Sequence, residues 1–301
     1  EVVLKAIQDK RSEPVDLDLL FSVHDRIKAL REKVSLINQQ RKAAADARNI
    51  EEGKRLKEES QTEEAMLAEA EKQFVALMIK LPNIPSPDTP VGADESANKV
   101  LRQWGEKPSF SFEPKAHWDL GKDLGLIETE KAGEISGPRF SYLMGDLVRL
   151  QFALLNFGMK VLSDAETLKT VAQEAEIEVD TKPFVPVLPP VMMKSAVMNR
   201  MARLHPIDER YYYEKDDLVF IGSAEHTLGP IHMDEIIDED RLPIRYAGYS
   251  TSFRREAGSY GKDTKGILRQ HQFDKVEVES FTKPEDGFAE HRRARADPPL
   301  Q

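Results

Sequence analysis

Residues 252–277 decide the fold of this chain: SFRREAGSYGKDTKGILRQHQFDKVE. A glycine-rich, charged loop separates two extended segments in this stretch, which predicts a hairpin of two strands. Side chains two positions apart on a strand share a face. One face of the second strand therefore carries Arg269, His271, Phe273, Lys275 and Glu277. The opposite face, with Leu268, Val276 and Val278, is expected to pack in a core.

The charged face of this hairpin has two interpretations. An antiparallel sheet often turns a polar face to water, which is the ordinary outcome for a single hairpin. The particular side chains favour a binding site instead. Arginine forks suit phosphate oxygens, a carboxylate accepts from an amine, and an aromatic ring offers a platform for a base. With Arg254 and Glu256 on one face at the end of the first strand, the set predicts a site for a nucleotide and an amino acid.

The same residues form a long motif. The segment Phe253-Arg254-Arg255-Glu256-Ala257-Gly258-Ser259, followed by His271-Gln272-Phe273-Asp274-Lys275, resembles motif 2 of class II aminoacyl-tRNA synthetases, and of the seryl-tRNA synthetase family in particular. The resemblance implies an α+β fold, in which an N-terminal antiparallel two-helix coiled-coil arm precedes an antiparallel β-sheet flanked by helices. It also implies a serine–tRNA ligase, which forms seryl-adenylate from L-serine and ATP and then charges serine tRNA.

The resemblance also assigns residues to ATP. It implies that Arg254 is catalytic and contacts the α-phosphate, and that Arg255 belongs to the same ATP-binding set. Glu256 would accept from the adenine amino group, and Phe273 would stack on the adenine. Mg²⁺ should accompany the ATP, and no residue of this chain is assigned as a metal ligand.

A second segment of the resemblance concerns the amino acid. The predicted strand Leu218–Ile221 is followed by Gly222-Ser223-Ala224-Glu225, where the family carries Thr-Ala-Glu. Serine retains the hydroxyl donor and acceptor of threonine. The resemblance therefore implies a serine-binding set of Ser223, Ala224, Glu225 and Glu277. By itself the tripeptide is weak evidence, since a polar turn is the ordinary alternative.

Two long helices are predicted before the hairpin region, at residues 15–48 and about 50–81. The first has apolar residues at spacings of three and four: Leu20, Val23, Ile27, Leu30, Val34 and Ile37. The second has a similar stripe, which Ser60 and Glu63 interrupt: Leu56, Leu67, Ala70, Phe74, Leu77 and Leu81. Because the break between the two helices is short, they should form an antiparallel helical hairpin.

The tip of this predicted arm is locally basic. Its candidate tRNA-binding residues are Arg41, Lys42, Arg48, Lys54 and Arg55. A solvated coiled-coil surface is the ordinary alternative, but the basic excess lies at the end of an extended probe in an acidic chain. The resemblance implies that the arm binds the long variable arm of serine tRNA. It also places the hairpin loop 258–268, with Arg269 at its border, near the tRNA terminus.

Four prolines between residues 81 and 90 predict a domain boundary. The predicted organisation is an arm at 1–82, a linker at 83–95 and a class II catalytic domain at 96–301. Within that domain, a helix from about Leu143 to Leu162 with Leu147, Leu150, Leu154 and Val161 on its apolar face, and a strand ending at Pro190, resemble motif 1. Motif 1 forms the dimer interface in the family, which implies a homodimer. A buried core helix and strand is the alternative.

Composition limits the remaining classes of function. The chain has 301 residues, a net charge of −10 and no cysteine. Disulfides and thiolate metal sites are therefore excluded, and any contact with nucleic acid must come from a local basic patch. No apolar run approaches the roughly 18 residues that a membrane span requires. We expect a soluble, cytoplasmic protein without membrane contact.

The C-terminal segment departs from the family pattern. After Pro284 no segment similar to motif 3 follows, so we expect a chain that is truncated before motif 3. The basic stretch from His291 to Gln301 is not expected to form the family's amphipathic helix. Two alternatives to a ligase follow: a non-catalytic tRNA-binding or scaffold fragment, and a plain coiled-coil dimeriser.

Overall fold

The computed structural model describes residues 1–101, 103, 105–174, 176, 180–257 and 265–294. It divides the chain into two compact units, Glu1–Pro108 and Ser109–Gln301, and each is treated separately below. Most of the predicted hairpin loop, residues 258–264, and the tail 295–301 lie outside the described residues. Within the described ranges, no helix combines the length and apolar character needed to cross a membrane.

The first unit contains the predicted helical hairpin. Its helices are α1 (Val2–Asp9), α2 (Leu17–Asp46) and α3 (Ile50–Met78). The side chain of Asp16 accepts from the backbone N–H of Leu19 at 2.8 Å, and Asn49 accepts from Glu52 at 3.1 Å. These two caps satisfy backbone donors that a helix start leaves unpaired, so each long helix begins where its capping residue places it.

The predicted apolar seam joins α2 to α3. Buried side chains of Val23, Ile27, Leu30 and Ala70 form one cluster, against which Leu67, Phe74 and Leu77 pack. Ser60 and Glu63 interrupt the seam as predicted, and both are buried. Lys33 Nζ lies 2.6 Å from Glu63 Oε1, and Arg41 Nη1 donates to Ser60 Oγ at 3.3 Å. The interruption is therefore a satisfied polar layer, because each buried polar group has a partner from the facing helix.

In the part of the second unit that the structure describes, helices combine with three small sheets. Its helices are α4 (His117–Asp123), α5 (Glu130–Ser136), α6 (Asp146–Ser163), α7 (Ala165–Glu174), α8 (Ser195–Arg200), α9 (Glu225–Leu228) and α10 (Gly287–Ala294). Its strands are β1 (Ile127–Glu128), β2 (Tyr142–Leu143), β3 (Val185–Val187), β4 (Met192–Lys194), β5 (Tyr212–Tyr213), β6 (Leu218–Phe220), β7 (Ile244–Phe253) and β8 (Gln272–Phe281). The sheets have the orders β1-β2, β3-β7-β8 and β4-β6-β5.

The predicted hairpin is the antiparallel pair β7–β8, whose ladder ends at Phe253 opposite Gln272. Arg254 and Glu256 therefore follow the first strand, and Arg269 and His271 precede the second. Backbone pairing continues one step further, because Arg254 N–H donates to the His271 carbonyl oxygen at 3.0 Å. The prediction that Leu268 packs in the core was wrong, since Leu268 is 73% exposed.

One face of the β3-β7-β8 sheet is covered by α6 and α7. Leu168, Phe184 and Ala247 form a buried cluster, with Met159, Leu162 and Val278 packed against it. The core position predicted for Val278 is therefore confirmed. The segment 164–182, which looks longer than is usual for the family, contributes α7 to this layer. The sheet is antiparallel except where β3 runs parallel to β7, with Val185 opposite Tyr246.

Two predicted elements differ from the structure. The helix expected from Leu143 begins at Asp146, because Leu143 pairs with Ile127 in the β1-β2 sheet. Of its predicted apolar face, Leu150 is 54% and Leu154 62% exposed. The stretch from His291 to Gln301 was not expected to be helical, but its first four residues belong to α10, and its remainder lies outside the described residues. Helix α10 forms there because Glu290 is buried against Arg245 of β7, a long-range contact that the local composition does not reveal.

Candidate functional site

The candidate site lies on the face of β7 and β8 opposite α6 and α7. Helix α9 approaches this face closely at Gly248, where an added Cβ would lie 2.5 Å from Leu228 Cδ1 and 3.0 Å from Ala224 Cβ. Glycine is therefore needed at this strand position, since any side chain would push α9 away. The close packing places the Ser223-Ala224-Glu225 segment over β8, where Gly248 pairs with Glu277.

A hydroxyl, a carboxylate and an ammonium group meet at the centre of this face. Ser223 Oγ donates to Glu277 Oε2, and Lys275 Nζ donates to Ser223 Oγ at 3.2 Å. Lys275 Nζ also lies 2.5 Å from Glu277 Oε2. Burial opposes ionisation of Glu277, but hydrogen bonds from Lys275 and Ser223 and the charges of Lys275 and Arg254 together lower its pKa. The carboxylate is thus held in its anionic form.

Two further carboxylates flank this centre. Glu225 begins α9 and lies 3.4 Å from Arg203 Nε and 3.7 Å from His226 Nε2. Glu279 is two residues after Glu277 on β8, so both side chains point to the same face of the sheet. Burial, and then the negative charges of Glu225 and Glu277, raise the pKa of Glu279. The face can therefore attract a cation such as an amino acid ammonium group.

His226 contributes structure and not charge. Its side chain is buried, and Nδ1 accepts from the backbone N–H of Gly222 at 3.2 Å. Burial first, and then the charges of Arg210, Arg203, Arg254 and Lys275, lower its pKa to about 4. The neutral imidazole therefore anchors the turn before Ser223 at neutral pH.

Arg254 and Phe273 form the second part of the face. The guanidinium carbon of Arg254 lies 5.4 Å from the centroid of the Phe273 ring, and Arg254 Nε donates to the carbonyl oxygen of Gly222 at 3.1 Å. His271 fixes the backbone here, because its carbonyl accepts from Arg254 N at 3.0 Å and its Nδ1 donates to Arg254 O at 2.8 Å. A cation over an aromatic ring beside the carboxylate centre is suited to a nucleotide phosphate and base.

The remaining predicted nucleotide residues are arranged differently. Glu256 Oε2 lies 2.7 Å from Arg269 Nη1, and the Glu256 carbonyl accepts from Arg139 Nη1 at 3.3 Å. Arg255 is exposed, with its guanidinium 5.8 Å from the ring of Tyr211. The structure therefore unites Arg254 and Phe273 with the Ser223–Glu225 segment and Glu277. Glu256 forms an ion pair with Arg269, and the guanidinium of Arg255 faces the ring of Tyr211.

Several residues of the site were not assigned a role from the sequence. Strand alternation placed Lys275 on the face of Glu277, and it would also have found Glu279. Arg203, Arg139 and His226 carried no such signal, since they reach the site through packing of segments that are distant along the chain or through a buried turn.

The predicted basic residues of the arm surround the reversal between α2 and α3. Arg41, Lys42 and Arg48 line a concave surface of about 680 Å³ together with Gly53. Lys54 is exposed on the neighbouring turn. Arg55 is neutralised in part, since it lies 2.6 Å from Glu52 and 3.0 Å from Glu59. The basic character of the tip therefore comes mainly from the other four residues.

Comparison with known proteins agrees with this geometry. Residues 210–293 match the model described as "tRNA synthetase class II core domain (G, H, P, S and T)". The serine–tRNA ligase of Sorangium cellulosum is 39% identical over 258 residues, which cover 83% of this chain and 56% of that protein. The serine–tRNA ligase of Bacillus cereus strain AH187 is 42% identical over 221 residues, covering 73% of this chain and 48% of the relative. The chain thus spans about half the length of the curated relatives it matches.

Solved structures show the same relationship. The seryl-tRNA synthetase of Pyrococcus horikoshii, solved in complex with ATP, superposes on this chain with a TM-score of 0.73 at 27% sequence identity. The aligned region covers 98% of this chain and 70% of that chain. The cytoplasmic serine–tRNA ligase of Naegleria fowleri, solved with AMP, gives a TM-score of 0.70 at 25% identity, with coverage of 95% and 64%. Since sequence, fold and motif agree, this chain belongs to the seryl-tRNA synthetase family of class II aminoacyl-tRNA synthetases.

Proposed function

We propose that this chain is the part of a serine–tRNA ligase that binds L-serine and ATP and joins them as seryl-adenylate. The observation that supports this best is the single face that holds Ser223, Lys275 and Glu277 next to Arg254 and Phe273. An anionic, partly buried carboxylate complements the ammonium group of an amino acid. An arginine fork beside an aromatic ring complements a phosphate and a base.

In the first step, the carboxylate oxygen of serine attacks the α-phosphorus of ATP, a P–O bond forms, and pyrophosphate leaves. Glu277 and Glu225 hold the ammonium group of serine, and Ser223 and the adjoining Ala224 line its subsite. Arg254 leaves the Phe273 ring to contact the α-phosphate, and the ring then accepts the adenine. The protein contributes positioning and charge stabilisation, since no side chain forms a covalent bond.

Arg255 and Glu256 complete the proposed ATP-binding set, and each must change a present contact before it can bind ATP. Glu256 accepts from the adenine amino group only if it shares its oxygens with Arg269, which already lies 2.7 Å from Oε2. Arg255 must turn from Tyr211 to reach a phosphate. Both residues belong to the segment that leaves β7, so ATP binding is expected to reorganise this segment.

Mg²⁺ is expected to enter with the phosphates of ATP, whose charge it neutralises. Within the part of the chain that the structure describes, no group of three His, Cys, Asp or Glu side chains could hold a metal ion. We therefore assign no residue to the metal and route no step through it.

In the second step, a ribose hydroxyl of the tRNA terminus attacks the seryl carbonyl carbon, and AMP leaves. The arm would bind serine tRNA through Arg41, Lys42, Arg48, Lys54 and Arg55, and Arg269 would border the tRNA terminus. These contacts are to phosphates, so affinity should fall steeply with salt.

The same proposal includes a division of the chain by function. It consists of an arm at 1–82, a linker at 83–95 and a catalytic domain at 96–301. The proposal also includes a cytoplasmic setting.

A homodimer is proposed through α6 and the adjoining strand β3. Leu150, Leu154 and Phe157 are each more than half exposed on α6, and Leu188 next to β3 is 76% exposed. Large apolar side chains concentrated on one helix face favour burial against another surface. Continuity with the motif 1 resemblance supports a second copy of the chain as the partner.

Serine-dependent exchange of pyrophosphate into ATP tests this function. We expect exchange with L-serine that L-alanine does not support, because alanine lacks the hydroxyl group. A folded chain that binds serine tRNA in a filter assay but shows no exchange would favour the second candidate, a non-catalytic tRNA-binding fragment. Binding of neither substrate would contradict both candidates and leave the coiled-coil dimeriser.

A further inference from the structure

The site face of β8 carries three side chains at alternate positions inside the ladder: Phe273, Lys275 and Glu277. Neighbouring members of this row are about 7 Å apart. The proposed function places adenine on Phe273 and the ammonium group of serine on Glu277. It gives no role to Lys275, which lies between these two positions. The space around Lys275 is therefore where the two substrates must meet.

The ammonium group of Lys275 is already paired within the site. Its Nζ lies 2.5 Å from Glu277 Oε2 and donates to Ser223 Oγ at 3.2 Å. The side chains of Lys275 and Glu277 are 34% and 22% exposed, so water compensates each charge only in part. Removing one partner from an enclosed ion pair leaves the other charge without compensation. Displacement of Lys275 from Glu277 by a substrate cation is therefore opposed unless Lys275 gains a new anionic partner.

An α-amino acid brings that partner with it. Its carboxylate and its ammonium group are attached to the same carbon atom, so the ammonium group can bind Glu277 while the carboxylate binds Lys275. One ion pair is then replaced by two. The other proposed serine-binding carboxylate differs, because its cation, Arg203, lies 3.4 Å from Glu225 on a side chain that is 54% exposed. Arg203 can return to water when it is displaced, whereas Lys275 needs the substrate carboxylate.

We propose that Lys275 binds the carboxylate of L-serine and holds it against the α-phosphate of ATP. The inference rests on the function proposed above and adds a residue to its first step. One carboxylate oxygen bonds to the α-phosphorus as the bond to pyrophosphate breaks. The other oxygen remains hydrogen-bonded to Lys275 and becomes the carbonyl oxygen of the adenylate. Two anions approach each other in this step, and a fixed positive charge between them lowers the energy of that approach.

A comparison of L-serine with serinol tests the proposal. Serinol has the ammonium and hydroxymethyl groups of serine, but a second hydroxymethyl group replaces the carboxylate. In the parent chain, serinol must break the Lys275–Glu277 pair without replacing it. In Lys275→Met both this cost and the carboxylate contact are removed. Titration calorimetry should therefore show that the preference for serine over serinol falls by about 10- to 150-fold, the value of one charge-assisted hydrogen bond. Most of the change should come from tighter binding of serinol.

A purely structural role of Lys275 predicts a different result. It would weaken the binding of both compounds together and leave their ratio unchanged. Lys275→Arg keeps the positive charge and should keep most of the preference for serine. Lys283→Met is the matched control, because Lys283 also pairs with a glutamate, Glu239, but lies beyond the end of β8. It is roughly 25 Å from Lys275 along the strand direction and should change neither affinity. An unchanged ratio in folded Lys275→Met, or an equal fall in Lys283→Met, would overturn the proposal.

Kinetics separate this inference from the proposed function. In serine-dependent pyrophosphate exchange, Lys275→Met should lower kcat by a larger factor than it changes KM for serine. Exchange in the parent chain with an unchanged serine-to-serinol ratio in Lys275→Met would refute the role of Lys275 alone. Serine binding without exchange in the parent would refute adenylate formation, and the ratio would still decide whether Lys275 binds the carboxylate. Binding of neither compound by the parent would refute both proposals.

Discussion

Removal of one partner from the buried pair of Arg245 and Glu290 should strongly destabilise the second unit. Arg245, on β7, has a side chain that is 1% exposed, and Glu290, on α10, one that is 8% exposed. Arg245 donates to Glu290 Oε1 at 2.8 Å and to Oε2 at 2.7 Å. It also donates to the carbonyl oxygens of Asp180 and Lys182, each at 2.8 Å. The interaction ties the C-terminal helix to the strand that leads into Arg254.

The change Glu290→Gln keeps the shape of the side chain but removes its charge. Breaking a buried pair on one side typically costs about 3–5 kcal/mol, because the other charge stays buried without compensation. Asp180 Oδ1, 3.0 Å from Arg245 Nη1, compensates in part, although that carboxylate is 54% exposed. We therefore expect the lower end of the range, a loss of about 3 kcal/mol in the free energy of unfolding. Asp180→Asn is the matched control. It should cost at most about 1 kcal/mol, because the Asp180 carboxylate in the Asp180–Arg245 ion pair is exposed to solvent.

Urea unfolding, followed by the fluorescence of Trp118 in a Trp104→Phe background, reports on the second unit. The double variant Arg245→Met/Glu290→Leu should recover most of the loss, since an apolar pair of similar volume needs no charge compensation. If Glu290→Gln costs no more than Asp180→Asn, α10 does not close on β7 as described. The reasoning would also be refuted if the double variant were as unstable as the sum of its single changes.

Three further predictions concern the site and the arm. Glu277→Gln should lower kcat/KM for serine-dependent exchange by roughly 10- to 100-fold, because a charge-assisted hydrogen bond is lost. Glu279→Gln should lower it less. Equal effects of the two substitutions would contradict the role of Glu277 in binding the ammonium group of serine. His226 has a pKa of about 4 in the folded chain, below that of the unfolded chain, so its contribution to stability is present above about pH 6.5 and is lost as the pH falls towards 4. Unfolding at several pH values should show a weaker acid dependence in His226→Gln, and an unchanged dependence would contradict this. Arg48→Ala should reduce the salt slope of serine tRNA binding by about 1 and leave exchange unchanged, while Lys72→Ala, far from the tip in sequence, should leave both unchanged.

The amino-acid sequence by itself determined the features that depend on local pattern. The spacing of Val23, Ile27 and Leu30 predicted the helical arm, because a helix brings residues three and four apart to one side. The Phe253–Ser259 and His271–Lys275 segments predicted the hairpin and the family. Alternation along β8 put Phe273, Lys275 and Glu277 on one face, which the structure confirms for the residues inside the strand.

Only the tertiary structure decided what distant segments place together. The ladder ends at Phe253, and beyond it the positions of Arg254 and Arg269 follow from their contacts with Gly222 and Glu256. The close approach of α9 at Gly248 and the helix that carries Glu290 both depend on partners far along the chain. Such contacts are governed by packing and by the need to compensate buried charges, and neither quantity is contained in the local periodicity of a sequence.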